Sequence, residues 1–180
     1  MGGNTEGFPR ISNQMQFHVE LLYYLIKKQE HYMISTTLIP MYERDLNKLK
    51  DEISAYDTES NLWVVKNEIK NSAGNLCLHI SGGLQYMIGT LLGGTSYVRN
   101  RDAEFSLKNI HKSDLLTGVD DAKQVVTRVL GSLTESDLKK IFPVKLGNND
   151  VTNEYVIIHL YGHLNYHLGQ INYHRRLAAV

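Results

Sequence analysis

A single cysteine, Cys77, stands among 180 residues, so the chain forms no intrachain disulfide and no thiolate-rich metal site. An intracellular setting fits that scarcity. There is no excess charge of either sign: nineteen basic residues balance nineteen acidic ones. A protein that holds duplex nucleic acid carries a basic footprint, so no nucleic-acid partner is expected. No run of eighteen apolar residues occurs, and MGGNTEGFPRISNQ lacks a basic-then-apolar leader, so neither a membrane span nor a signal peptide is expected and the cytoplasm is the default address. Glu6 stands where a myristoylation pattern needs Ser or Thr. Alternation with period two is too short-lived to build a sheet, internal repeats are missing, and only KIFPVKL reads as briefly extended.

What remains is helical. Residues 1–14 are polar and glycine-bearing, a loose lead-in, and an amphipathic stretch from about Met15 to Met33 carries Phe17, Leu21, Tyr24, Leu25 and Lys28 at helical spacing. Pro40 suits a first turn, which predicts a second helix from near Leu38 to Ala55. SAYDTESNLW reads as a loop. Between Ser72 and Leu92 the residues Leu76, Ile80, Leu84, Met87, Ile88 and Leu91 share one broad face, with Gly93-Gly94 as a stop. TSYVRNRDAEFSLKNIHKSD is too mixed for a core helix and reads as a long connection. Further helices are predicted over Gly118–Leu130, over TESDLKKIF with Thr134 and Asp137 as a capping box, and over Val151–Leu177. Long amphipathic helices joined by loops imply an all-α, four-helix up-and-down bundle over residues 38–180, with residues 1–37 as an N-terminal arm or accessory helix.

The chemistry-bearing residues are histidines. His159, His163 and His167 recur every fourth residue in EYVIIHLYGHLNYHLGQINYHRRLAA. Neighbours at that spacing share a helix face, so His159 with His163, or His163 with His167, can chelate one ion. All three cannot, because His159 and His167 are roughly 12 Å apart along the axis at 1.5 Å rise per residue. A third imidazole must therefore come from another helix, and His79 is placed to supply it, beside the apolar ridge Leu76, Ile80 and Met87. Gly82-Gly83, one turn on, marks close helix packing or space left over a ligand. Gly162 and Gly169 share a different face and suit a close helix contact within the bundle or across a dimer. His18, His31, His111 and His174 lie apart from this geometry, as solvent-facing or packing residues.

GHLNYHLGQINYHRR, with HxxxHxGQI at its centre, and LCLHISGGLQYMIG resemble the DinB/YfiT-like superfamily of metal-dependent enzymes. NSAGNLCLHISG and YVRNRDAEF look closer still to one DinB-like subgroup. The similarity runs from about Leu38 to the C-terminus and leaves the stretch before Pro40 as an addition. It implies a four-helix bundle in which a divalent metal is held by His79, His163 and His167, which decides between the two pairs that spacing leaves open. It also implies a homodimer. Arg99, Arg101, Asp102 and Glu104 in the second motif suit a salt-bridge lock of the loop better than a clamp on a substrate anion.

Three imidazoles favour a divalent transition metal, zinc or nickel before magnesium or calcium, and leave its charge uncompensated. The superfamily suggests a thiol-dependent S-transferase that activates a low-molecular-weight thiol against a small-molecule substrate. The alternatives are a hydrolase using metal-bound hydroxide, or a non-catalytic dimeric helical scaffold in which the metal is structural or absent. No carboxylate stands near the ligands in the sequence to manage a proton, which leaves His159, Tyr86 and Tyr166 for that task. Gln170, three residues after His167, is placed to orient a ligand or bind substrate.

Overall fold

Leu38, Tyr42, Leu46, Leu49 and Ile53 recur at helical spacing and are all buried, which is why residues Ile34–Ser54 coil into one long amphipathic helix. The structure is a computed structural model that describes residues 13–29, 34–66 and 68–178. Among the described residues it is all-α, with seven α-helices and no strand: α1 (Asn13–Gln29), α2 (Ile34–Ser54), α3 (Ala73–Leu84), α4 (Arg101–Ser106), α5 (Lys112–Ser132), α6 (Glu135–Lys139) and α7 (Asn153–Ala178). None is long and apolar enough to cross a membrane.

Contacts divide the chain into two units, residues 1–33 and 34–180. In the first, α1 occupies much of the stretch expected to be helical from Met15 to Met33. The polar lead-in up to residue 12 and His31 lie outside the described residues.

In the second unit α2 packs on α5 and α7, and α3 packs on the same two helices. Each contributes an apolar stripe: Leu76, Ile80 and Leu84 from α3, Leu115, Val119, Ala122, Val126 and Leu130 from α5, Val156, Ile157, Leu160, Leu164 and Ile171 from α7. Burial at this density is the main force holding the helices together. Polar ties fix their register. The Tyr42 hydroxyl donates to the Ile157 carbonyl at 2.7 Å, and buried Asp45 accepts from Arg44 at 2.7 Å and from the Tyr161 hydroxyl at 2.6 Å.

Three expectations are corrected. Pro40 lies inside α2 rather than in its first turn, because Leu38 and half-buried Ile34 pack on the core and extend the helix back across it. The proline itself is exposed. The connection after Gly94 contains α4, nucleated by Asn100, whose side-chain oxygen accepts from the Ala103 amide at 3.0 Å. The loop after α2 includes a 3₁₀ turn, Glu59–Trp63, held by burial of Leu62 and Trp63.

Other expectations hold. The helix predicted to Leu92 is α3 continued by a π-helical segment, Gln85–Thr90. Thr134 and Asp137 form the capping box of α6, and the segment after it is extended enough for a bridge between Ile141 and Thr152.

Candidate metal centre

Ser72 starts α3 by accepting the Asn75 amide on its hydroxyl, and Asn75 then donates to the carbonyls of Glu104 at 3.0 Å and Leu107 at 2.9 Å. This buried asparagine ties the start of α3 to α4. One turn further along α3 stands His79, whose side chain is 12% exposed. Opposite it, α7 presents His163 and His167 four residues apart, as an i, i+4 pair on one helix face must be.

These three imidazoles converge. One ring nitrogen from each lies within 4.8 Å of the others, and Nε2 of His79 stands 3.0 Å from Nε2 of His163. Two imidazole nitrogens each about 2.1 Å from one ion are separated by roughly 3.0 to 3.4 Å, so that spacing suits a shared cation. The three-histidine cluster is compatible with a metal site.

The outer faces of the rings decide which nitrogens are free to act as ligands. Nδ1 of His79 lies 2.9 Å from Oε2 of Glu104. A carboxylate accepts only, so Nδ1 carries the proton and Nε2 keeps its lone pair. Glu104, 5% exposed, is held in turn by a two-pronged pair with Arg99, Nε to Oε1 at 2.7 Å and Nη2 to Oε2 at 2.8 Å. Nδ1 of His167 donates likewise to Oε1 of Gln170 at 2.6 Å, leaving its Nε2. An oxygen acceptor behind a ligating imidazole is the arrangement that fixes tautomer and ring orientation at metal sites.

Burial, reinforced by the nearby His167, His79, His159 and Arg99, pushes the His163 pKa down to about 4. Burial also lowers that of His79, against the opposing pull of Glu104. Both rings are therefore neutral at pH 7 and able to donate lone pairs.

The remaining sequence candidates are distributed unevenly. His159 is exposed, stacks on His163 with ring centroids 6.3 Å apart, and lines a cavity beside the cluster. Gln170 meets His167 as described. Tyr166 is 64% exposed, and its ring contacts that of His167 edge-on at 5.1 Å. Tyr86 lies in the π-helical segment and is not among the residues lining that cavity.

Sequence reasoning missed Glu104, which bonds the back of His79 and is not among the residues lining the cavity. It lies 25 residues from His79 in sequence. Its pairing with Arg99 is the salt-bridge lock expected of that loop, but the lock closes on the back of His79. The one signal in the sequence was the YVRNRDAEF motif itself. A Cβ added at Gly162 or at Gly169 would meet nothing within 4 Å among the described residues. His174 is a packing residue, buried between the Tyr56 hydroxyl at 2.7 Å and the Val64 carbonyl at 2.9 Å. His18 bonds the Gln14 carbonyl at 2.9 Å, and His111 lies 3.6 Å from Glu59. Burial raises the Cys77 pKa to about 12, so this thiol is inert.

Residues 17–179 match the family described as protein of unknown function (DUF1572). No curated protein matches the chain.

Proposed function

The chain belongs to the DUF1572 family, and from that premise we propose that it is a metal-dependent enzyme of DinB/YfiT-like, four-helix-bundle type, using His79, His163 and His167 as ligands. The observation that carries the reading is the bracing of two imidazoles from behind. Glu104 holds the Nδ1 proton of His79 and Gln170 that of His167, so the free nitrogens face one small volume. Packing alone would not demand oxygen partners on the outer edge of two of three clustered rings.

A divalent transition ion such as zinc or nickel, when bound there, supplies uncompensated positive charge that lowers the pKa of a thiol or water brought to it. The rest is work for side chains. His159, on the wall of the adjoining cavity, accepts the thiol proton. The sulfur then forms a bond to an electrophilic carbon of the small-molecule substrate, and the leaving group departs with its electron pair. Gln170 and Glu104 keep the ligand rings from turning. A thiol-dependent S-transferase, acting as a homodimer, is the form of this chemistry that we favour.

Two measurements test the proposal. Protein purified without an affinity metal column is expected to carry about one equivalent of a transition metal, and His163→Ala to lose it while remaining helical. Equal metal in both proteins removes the site. With metal present, a low-molecular-weight thiol and monochlorobimane are expected to give bimane adduct faster than with His163→Ala. Equal rates, with metal bound only by the parent chain, remove the transferase and leave the metal site.

A further inference from the structure

The cavity beside the histidine cluster is lined by Ile80, Leu84, Met87, Leu146, Leu160 and Leu164, with Gly83 contributing bare backbone. Its volume is about 160 Å³. An apolar cavity of about 150 Å³ holds one benzene-sized molecule, so the space fits six to eight non-hydrogen atoms, roughly one ring with a short substituent.

Its polar lining is one-sided. His79, His159, His163 and Arg99 reach the wall, whereas no acidic side chain does among the described residues. Glu104, the partner of Arg99, is buried behind His79 and is not part of the lining. The guanidinium spends Nε and Nη2 on that carboxylate, while Nη1 bonds no described residue. A ligand in the cavity therefore meets the cation of this pair without its anion. Gly83 keeps the approach open, since an added Cβ would stand 3.5 Å from Nη2 of Arg99.

Building on the metal-site reading, we propose that this cavity is the substrate pocket and selects a compact apolar molecule, about one ring in size, that carries an anionic or oxygen-acceptor head directed to Arg99. The apolar walls bind the body by removing it from water, and the one-sided charge rejects cationic analogues.

Titration calorimetry on the full chain with benzoate, acetate and benzylammonium tests this, with metal content measured on the same samples. Benzoate is expected to bind at least about tenfold more tightly than either of the others, the difference from acetate reflecting burial of the ring. Gly83→Ala is expected to weaken benzoate at unchanged metal content, because its methyl group takes up part of the cavity. Acetate binding as tightly as benzoate overturns the apolar pocket, and benzylammonium binding as tightly overturns the acceptor head. If the protein carries no metal but the ligand order holds, the pocket stands and the metal reading falls; metal bound with the order lost gives the reverse.

Discussion

The Cβ that Gly82 lacks would fall 2.5 Å from Oε1 of Glu104 and 3.1 Å from the Tyr97 hydroxyl. Glycine at this position makes the room in which the carboxylate reaches His79. Its neighbour differs, since among the described residues a Cβ on Gly83 meets only Arg99, at an ordinary 3.5 Å. Gly82→Ala is expected to displace Glu104, to lower stability by about 1–3 kcal/mol and to weaken metal binding. Gly83→Ala is expected to fold at least as stably, gaining up to about 1 kcal/mol of helix propensity. Urea midpoints and metal content of the two variants decide the matter, and indistinguishable behaviour contradicts the role given to Gly82.

Glu104→Gln keeps an oxygen able to accept the His79 proton but removes the negative charge behind the ring. Loss of an outer partner of a metal ligand typically costs about 10–100-fold in affinity. We expect a drop in that range, read by competition with a chelating dye, with helical content intact. The variant also leaves the Arg99 guanidinium half-buried without its anion, so a lower melting temperature is expected alongside. Unchanged affinity would mean that Glu104 only locks the loop.

The histidine ladder was legible because its geometry is local. Four residues on a helix fix a shared face whatever the rest of the chain does. The Thr134–Asp137 capping box and the apolar ridge of α3 were legible for the same reason. Glu104 was not, because its distance to His79 is set by how α4 docks on α3, through Asn75 and two carbonyls contributed from that region. Helix α4 itself has six residues and rests on its Asn100 cap, too little periodicity to register. The two pairs of glycines show the same limit. Nothing in GG or in GxxxxxxG tells a carboxylate-sized gap from a helix contact, and Gly82 proves to be the former while a Cβ added at Gly162 or Gly169 meets nothing within 4 Å among the described residues.

Away from the centre, Asp45 gives the fold an acid-sensitive joint between α2 and α7. Hydrogen bonds from Arg44 and then Tyr161, against the opposing effect of burial, hold its carboxyl well below the usual carboxylate range. The folded state thus binds the proton more weakly than the unfolded chain does. The stabilisation is whole above the ordinary aspartate pKa near ~3.9 and is lost progressively as pH falls below it. Urea midpoints measured from pH 7 down to about pH 2.5 should fall for the parent chain in that acid window. In Asp45→Asn the midpoint should be lower at pH 7 and the acid decline shallower; parallel curves would show that another carboxylate sets the acid limit.

Removing the metal tests whether the centre is catalytic in kind or a structural clasp. A structural ion closes its coordination with four protein groups and its loss unfolds the site, whereas three protein ligands leave a position for substrate. Here the helices that carry the ligands are held by contacts that owe nothing to an ion: Leu160 and Leu164 of α7 and Ile80 and Leu84 of α3 are buried, and Tyr42 ties α7 to α2. Chelation should therefore leave far-ultraviolet circular dichroism unchanged. The melting temperature should fall only as far as the loss of one site's linkage requires, a stability change of about 2.7 kcal/mol at a metal concentration a hundred times Kd. Re-addition of zinc should restore it, and His167→Ala should abolish the difference between the chelated and loaded samples. Collapse of helicity on chelation would instead assign the three histidines to holding the helices together, and the cavity beside them would lose its claim to be an enzyme's pocket.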